Sequence, residues 1–326
     1  MCLRSRTVLR VSVVVATHNR ALRLRDLLAS LRAQTVPAGE FEVVVVDDAS
    51  HDGGETRRTL AEEAARGGLR LRAIHRETSG GPGGARNTGW RAASGPLIAF
   101  IDDDCRAAPG WLAAGLAAAE TRPDAVVQGR IDPMPEELVR LRPTARTLAV
   151  HGLGPWYETA NIFYPRALIE RLDGFDEEAF PGYGGEDTDL AWRAIAAGAP
   201  TIWAPEAQAY HAVDDVGWRG QLRIAARWTP TMLVYKRHPE FRRAAMYKRV
   251  FWKWQHYFLV RWLLALVLPR RWRALSFYLA LPYNLYLLTD EGRRARWWHA
   301  PYVLLLDMVE LGAVIRGAAR YRVFIL

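Results

Sequence analysis

The chain is almost without cysteine: two in 326 residues, Cys2 and Cys105. Two thiols cannot build a disulfide framework, and no Cys/His spacing fits a zinc finger. A reducing compartment, the cytosol, is therefore expected. Long apolar runs are missing too. In the last third the longest stretch without Asp, Glu, Lys or Arg is Ala274–Thr289, 16 residues interrupted by Pro282. A spanning helix needs about 20 apolar residues, so none is expected. Arg4, Arg6 and Arg10 precede only the short run Val11–Ala16, which ends at Thr17-His18-Asn19-Arg20. A secretory leader would be longer, and a strand is the better reading. There is no internal repeat, no low-complexity linker and no Gly-Lys-Ser/Thr phosphate loop. What is present is 50% hydrophobic and 24% charged residues. That composition excludes a disordered chain and supports one large domain with an appendage.

Charge is unevenly spread. Residues 217–326 hold 20 Lys+Arg against 5 Asp+Glu, a net of +15, while residues 1–216 carry a net of −6. Eight of the 13 tryptophans lie at or beyond Trp218. This shift places an expected boundary near residue 215, between a domain at 1–216 and a basic, aromatic, mainly helical region at 217–326.

The first part reads as alternating strands and helices. Val11–Ala16 and Phe41–Val46 are short, continuous and β-branched, as in strands covered on both faces. Leu24, Leu27, Leu28 and Leu31 recur at helical spacing. Thr56–Arg66 reads as a helix and Leu69–His75 as a strand. Gly80-Gly81-Pro82-Gly83-Gly84 opens a helix through Ala85–Ala93, followed by a strand at Pro96–Ile101, a helix from Trp111 to Ala119 and a strand at Ala125–Ile131. Such alternation predicts an α/β fold with a mostly parallel sheet.

Ligands of such sheets bind at the carboxyl ends of the strands. Three of those ends are polar: Thr17-His18-Asn19, Asp47-Asp48 and Asp102-Asp103-Asp104. Asp47-Asp48 can also be read as helix caps. Three consecutive aspartates repel one another unless a cation or donor network sits there, and hard oxygen ligands suit Mg²⁺ or Mn²⁺. Glu186-Asp187 follows a Gly-rich run and precedes a helical segment from Leu190, so both carboxylates sit at a helix N-terminus, as bases or merely as caps.

These segments resemble family 2 glycosyltransferases of the GT-A fold. The matching residues are Val11–Arg20, Val45–Ser50, Gly84-Ala85-Arg86-Asn87-Thr88-Gly89, Phe100–Asp104 and Gly184–Leu190. Five motifs occur in the family's order, over about residues 8–215. The resemblance implies a nucleotide-activated sugar as donor. It implies that Thr17, Asn19 and Asp48 line the nucleotide pocket and that Arg86 reaches the nucleotide or diphosphate. A surface helix arginine is the bland alternative for Arg86. Asp102 or Asp103 would hold the ribose or a metal-bound water, and Asp104 the divalent metal, Mn²⁺ or Mg²⁺. His211 is a further candidate ligand or a structural histidine. Asp187 would be the general base of an inverting, single-displacement reaction, with Glu186 orienting the acceptor. Trp156, Tyr157 and Tyr183 offer stacking faces to a sugar or pack in the fold. Cys105 reads as packing, since a hard metal does not choose a thiol.

Apolar helices flanked by Arg and Trp in residues 217–326 suggest a membrane interface, or else packing on the catalytic core or on a second protomer as a homo-oligomer. The basic excess would attract anionic headgroups on the inner face of the cell membrane. That hints at a lipid-linked or cell-envelope glycan acceptor. Nucleic acid is not expected, because long Leu runs interleave the arginines. The competing functions are a non-catalytic nucleotide-sugar-binding or scaffold protein and, further off, a nucleotidyltransferase.

Overall fold

The computed structural model describes residues 8–289 and 297–326. Cys2, Arg4 and Arg6 lie outside the described residues. The elements of the first part are β1 (Val11–Thr17), α1 (Ala21–Arg32), β2 (Phe41–Asp47), α2 (Glu55–Arg66), β3 (Leu71–His75), α3 (Gly81–Ala92), β4 (Leu97–Ile101), β5 (Cys105–Ala107), α4 (Trp111–Thr121) and β6 (Val126–Pro133). The two-residue β7 (Ala145–Arg146) interrupts them; β8 (Asn161–Pro165), α5 (Arg166–Arg171), α6 (Glu186–Ala196) and β9 (Thr201–His211) complete the series.

Eight strands form one sheet in the order β3-β2-β1-β4-β8-β6-β9-β5. The pairs β1–β2, β1–β4, β2–β3 and β6–β9 are parallel, and β8 enters antiparallel between β4 and β6. The sheet is mostly parallel, as the alternation predicts. The β-branched runs are buried on both faces because each face has its own helices. Val11, Val13 and Val15 join Leu24, Leu27, Leu28 and Trp111 in one core. Val14, Val44 and Val46 join Trp90, Phe100 and Leu190 in the other. Each such buried side chain contributes about 1.5–3 kcal/mol. Helix α3 lies so close to β1 that a Cβ on Gly89 would meet Val14 Cγ1 at 2.4 Å.

One sequence reading is corrected here, and one feature that it did not address comes into view. The glycines at 81, 83 and 84 form the first turn of α3 instead of a loop ahead of it, because Pro82 sits in that first turn, where its missing N–H costs nothing. In β9 the register against β6 jumps from Gly129↔Ala204 to Arg130↔Gln208, so Pro205-Glu206-Ala207 form a bulge that periodicity alone does not reveal.

Contacts divide the chain into two compact units. One holds the residues up to Glu137 with Thr147–Ala212, and the other Leu138–Arg146 with the chain from Val213 onward. In the second, β10 (Asp214–Asp215) pairs antiparallel with β7. Then follow α7 (Gly217–Ala226), α8 (Thr231–Arg237), α9 (Pro239–Ala245), α10 (Trp254–Val267), α11 (Arg273–Thr289) and α12 (Ala300–Tyr321). Pro282 lies inside α11 and does not end it. Leu259, Tyr283, Tyr286, Val303 and Leu311 make the core of α10, α11 and α12. His256 and Glu310 are buried there with the half-exposed Lys253 beside them: Lys253 Nζ lies 2.8 Å and His256 Nε2 3.3 Å from the Glu310 carboxylate. Burial alone would raise Glu310, but His256 and Lys253 outweigh it and hold the carboxyl down at about 2. Tyr283 donates to Asp307 at 2.9 Å. Among the described residues no helix is long and apolar enough to cross a membrane.

Candidate active site

The polar strand ends converge. β1 ends at Thr17, which is buried and donates to Asp103 Oδ2 at 2.6 Å. Asn19 follows in a left-handed conformation (φ 56°) that asparagine tolerates. Its side-chain oxygen accepts from the His51 N–H at 2.7 Å, which ties the end of β1 to the loop after β2. Asp47 accepts from the Ser50 N–H and pairs with His75. Asp48 does not cap α2; Asp52 accepts from the Thr56 N–H and hydroxyl instead. Asp48 accepts from Ser79 Oγ at 2.7 Å and the Gly80 N–H at 3.0 Å, with Arg76 Nε at 3.3 Å.

The three aspartates after β4 point into different partners. Asp102 pairs with Arg86 at 2.7 Å. Asp103 is buried, and burial together with the Asp104 charge pushes its carboxyl up to about 7 against the pull of Arg20 and Thr17. Asp104 Oδ2 pairs with Arg20, while its Oδ1 is buried with no hydrogen-bond partner, 3.5 Å from His211 Nε2. His211 Nδ1 lies 2.8 Å from the Ala212 carbonyl. A carbonyl only accepts, so Nδ1 carries a proton, and Nε2 is the nitrogen turned toward Asp104. Asp102, Asp104 and His211 each offer a ligand atom within 4.8 Å of the others. Two hard oxygens and a neutral imidazole, with an orphaned carboxylate oxygen between them, fit a divalent cation such as Mn²⁺ or Mg²⁺. Cys105 is a free thiol, buried and raised by burial, with its sulfur 3.8 Å from the Ala160 carbonyl.

Arg86 is no surface arginine. It is buried on α3, and its guanidinium bridges Asp102 to Glu186, 3.2 Å away. Burial opposes its charge, but Asp102 and Glu186 more than restore it. Gly184 and Gly185 have φ of 111° and 105°, a region open to glycine, and turn the chain into α6. Glu186 accepts from the Gly184 N–H at 2.9 Å. Asp187 accepts from the Thr188 N–H at 2.8 Å. Burial and the neighbouring Glu186 push the Asp187 carboxyl up to about 8, with Arg86 opposing. Tyr157 is buried edge-to-face on Trp192, and Trp156 is half-buried with its carbonyl accepting from Thr188 Oγ1. Of the three aromatics only Tyr183 is exposed. Arg20 has no assigned role in the sequence reading, and only the fold brings it onto Asp103 and Asp104.

Comparison with known proteins bears on this arrangement. The model of glycosyl transferase family 2 matches residues 12–174, and that of glycosyl transferase family group 2 matches residues 97–290. A validoxylamine A glucosyltransferase of Streptomyces hygroscopicus is 35% identical over 225 residues, covering 58% of this chain and 52% of its own. A pre-mycofactocin glycosyltransferase of Mycobacterium tuberculosis is 32% identical over 216 residues, covering 62% of this chain and 42% of its own. The chain thus spans about half the length of the curated relatives it matches. Among solved structures, a mannosyltransferase of Pyrobaculum calidifontis, in complex with GDP-Man and Mn²⁺, superposes with a TM-score of 0.63 at 22% identity, covering 97% of this chain and 87% of that one. That likeness extends to the fold, GT-A, with its mostly parallel sheet and flanking helices. The acidic strand ends, the Gly-rich helix start and the carboxylates that open α6 all fall within the matched segments, and the chain belongs to the family 2 glycosyltransferases.

Proposed function

We propose that the chain transfers a sugar from a nucleoside-diphosphate donor to an acceptor hydroxyl with inversion. The observation that carries this reading is the buried Arg86 bridge. It joins Asp102 of the cation cluster to Glu186 beside Asp187, which makes one site of two groups of carboxylates. Thr17, Asn19 and Asp48 line the donor side, with Asp102 and Asp103 at the ribose. Asp104 and His211, joined by Asp102, would hold the divalent metal, whose chemistry is to neutralise charge on the departing diphosphate. Asp187 takes the proton of the acceptor hydroxyl as its oxygen bonds to the anomeric carbon and the bond from that carbon to the diphosphate oxygen breaks. Burial and Glu186 raise this carboxyl, which makes it a stronger base once it is ionised. Glu186, fixed by Arg86 and the Gly184 N–H, orients the acceptor, and the exposed Tyr183 offers it a ring face.

Residues 1–216 form the catalytic part in this reading. Residues 217–326 form the part that meets the inner face of the cell membrane or a second protomer. A lipid-linked or envelope glycan then becomes the acceptor. The solved relatives in complex with GDP-Man, UDP and UDP-GlcNAc support a nucleotide-sugar donor. The test is a screen of UDP-, GDP- and dTDP-sugars with Mn²⁺ or Mg²⁺, following nucleoside diphosphate release. Metal-dependent release from one donor, lost in Asp187→Asn and Asp104→Asn, is the expected result. Donor binding without release, even with acceptor lipids added, would sink the enzyme in favour of a binding module.

A further inference from the structure

Helices α10 and α11 form an antiparallel hairpin. Trp262 Nε1 donates to Asn284 Oδ1 at 3.0 Å, and Arg261 lies over the Tyr278 ring at 5.2 Å. Its two ends differ. The base is covered: Leu259, Tyr283 and Tyr286 are buried with Val303 and Leu311 of α12. From Leu264 to Leu281 the hairpin is largely bare. Val267 is 76% exposed, Phe277 67% and Tyr278 66%, with Leu266 and Trp272 also open. An uncovered apolar patch of this kind marks an interaction surface.

The charge of the hairpin selects the partner. Residues 254–289 contain four arginines, Arg261, Arg270, Arg271 and Arg273, and not one Asp or Glu. The last three lie exposed at the turn, around Trp272. A second copy docking tip to tip would bring arginine onto arginine. A bilayer with anionic headgroups accepts both features at once, apolar side chains below the headgroups and guanidinium groups among them.

The geometry points to the tip of the α10–α11 hairpin as a monotopic anchor in an anionic lipid surface. The bare helical arms are Leu264–Val267 of α10 and Arg273–Leu281 of α11, roughly 6 Å and 14 Å long. They reach the boundary of headgroups and acyl chains, about 5–10 Å deep, and cannot span about 30 Å of hydrocarbon. The indole of Trp272 between three arginines sits at the level where aromatic rings settle. This deepens the membrane location proposed above and assigns it to one element.

The experiment is flotation of the full chain with phosphatidylcholine vesicles, with and without about 30% phosphatidylglycerol. The protein should float with the anionic vesicles only, and about 0.5 M salt should release it. Each arginine near such a surface accounts for about a fivefold change, so Arg270→Gln, Arg271→Gln and Arg273→Gln together should weaken partition on the order of 100-fold. Val267→Ser with Phe277→Ser should weaken it separately. Trp272→Phe should lose quenching by brominated lipid. All these side chains are exposed, so melting curves should match the parent. No flotation with anionic vesicles, or flotation untouched by the tip substitutions, overturns the anchor. So does a dimer in lipid-free solution that these substitutions dissociate, since it would give the face to a second copy. Donor turnover in solution is read independently. Its loss with vesicle binding intact fells only the transferase reading, and the reverse fells only the anchor.

Discussion

Replacing Asp187 by asparagine should abolish transfer and at the same time stabilise the fold. In the folded chain its carboxyl is raised from 3.8 to about 8, chiefly by burial and then by Glu186. Between those values the folded state holds a proton that the unfolded chain has released, so stability falls as pH rises through that window. At pH 7 the difference is about 3 pKa units, a ceiling of about 4 kcal/mol. Partial exposure of the side chain reduces the expected gain to about 2 kcal/mol. For a domain of this size that is a rise of roughly 4–8 °C in Tm. Melting of parent and Asp187→Asn by circular dichroism from pH 4 to pH 9 checks it. The gap should be near zero at pH 4, widen through pH 7 and level off above pH 8. A variant less stable at pH 8, or a gain independent of pH, would refute the argument that this carboxyl is held against its charge.

Other outcomes follow from the same geometry. Arg20→Ala frees Asp104 from its resident cation, so Mn²⁺ should bind about threefold or more tightly in calorimetry without donor, whereas His211→Ala should weaken it. Gly89→Ala should cost about 1–3 kcal/mol in urea unfolding, because the new Cβ falls on Val14 of β1. Glu310→Gln should cost on the order of 3 kcal/mol at pH 7, since its ionised form is stabilised by His256 and Lys253. That loss should shrink as pH falls from about 4.5 and vanish near pH 2, as denaturant titrations at several pH values would read.

Much of the site was legible because strand ends in such sheets carry ligand groups, and Asp47-Asp48, Asp102–Asp104 and Thr17–Asn19 stand directly after β-branched runs. The antiparallel entry of β8 was not legible. Asn161–Pro165 is short and apolar, and direction in a sheet is decided by pairing partners far along the chain. Arg86 looked ambiguous because a helix arginine shows no sign of burial until Asp102 and Glu186 are placed around it. Pro282 looked like a break, yet α11 continues through it. Asp48 could be read as a cap, but Asp52, four residues on, satisfies the start of α2.

The bulge at Pro205-Glu206-Ala207 says something about how this chain tolerates change. His211 stands opposite Cys105 of β5 and Pro133 of β6, and its phase along β9 is set by those three extra residues. Side chains alternate faces along a strand, so losing one residue there would send the imidazole to the opposite face of the sheet while leaving every chelating group in the sequence. The same deletion in the exposed stretch around His151–Gly154 would shift nothing that Asp104 faces. Lineages descended from this chain are therefore free to drift in loop length there, but must keep the count of residues between Gly129's partner and His211 fixed.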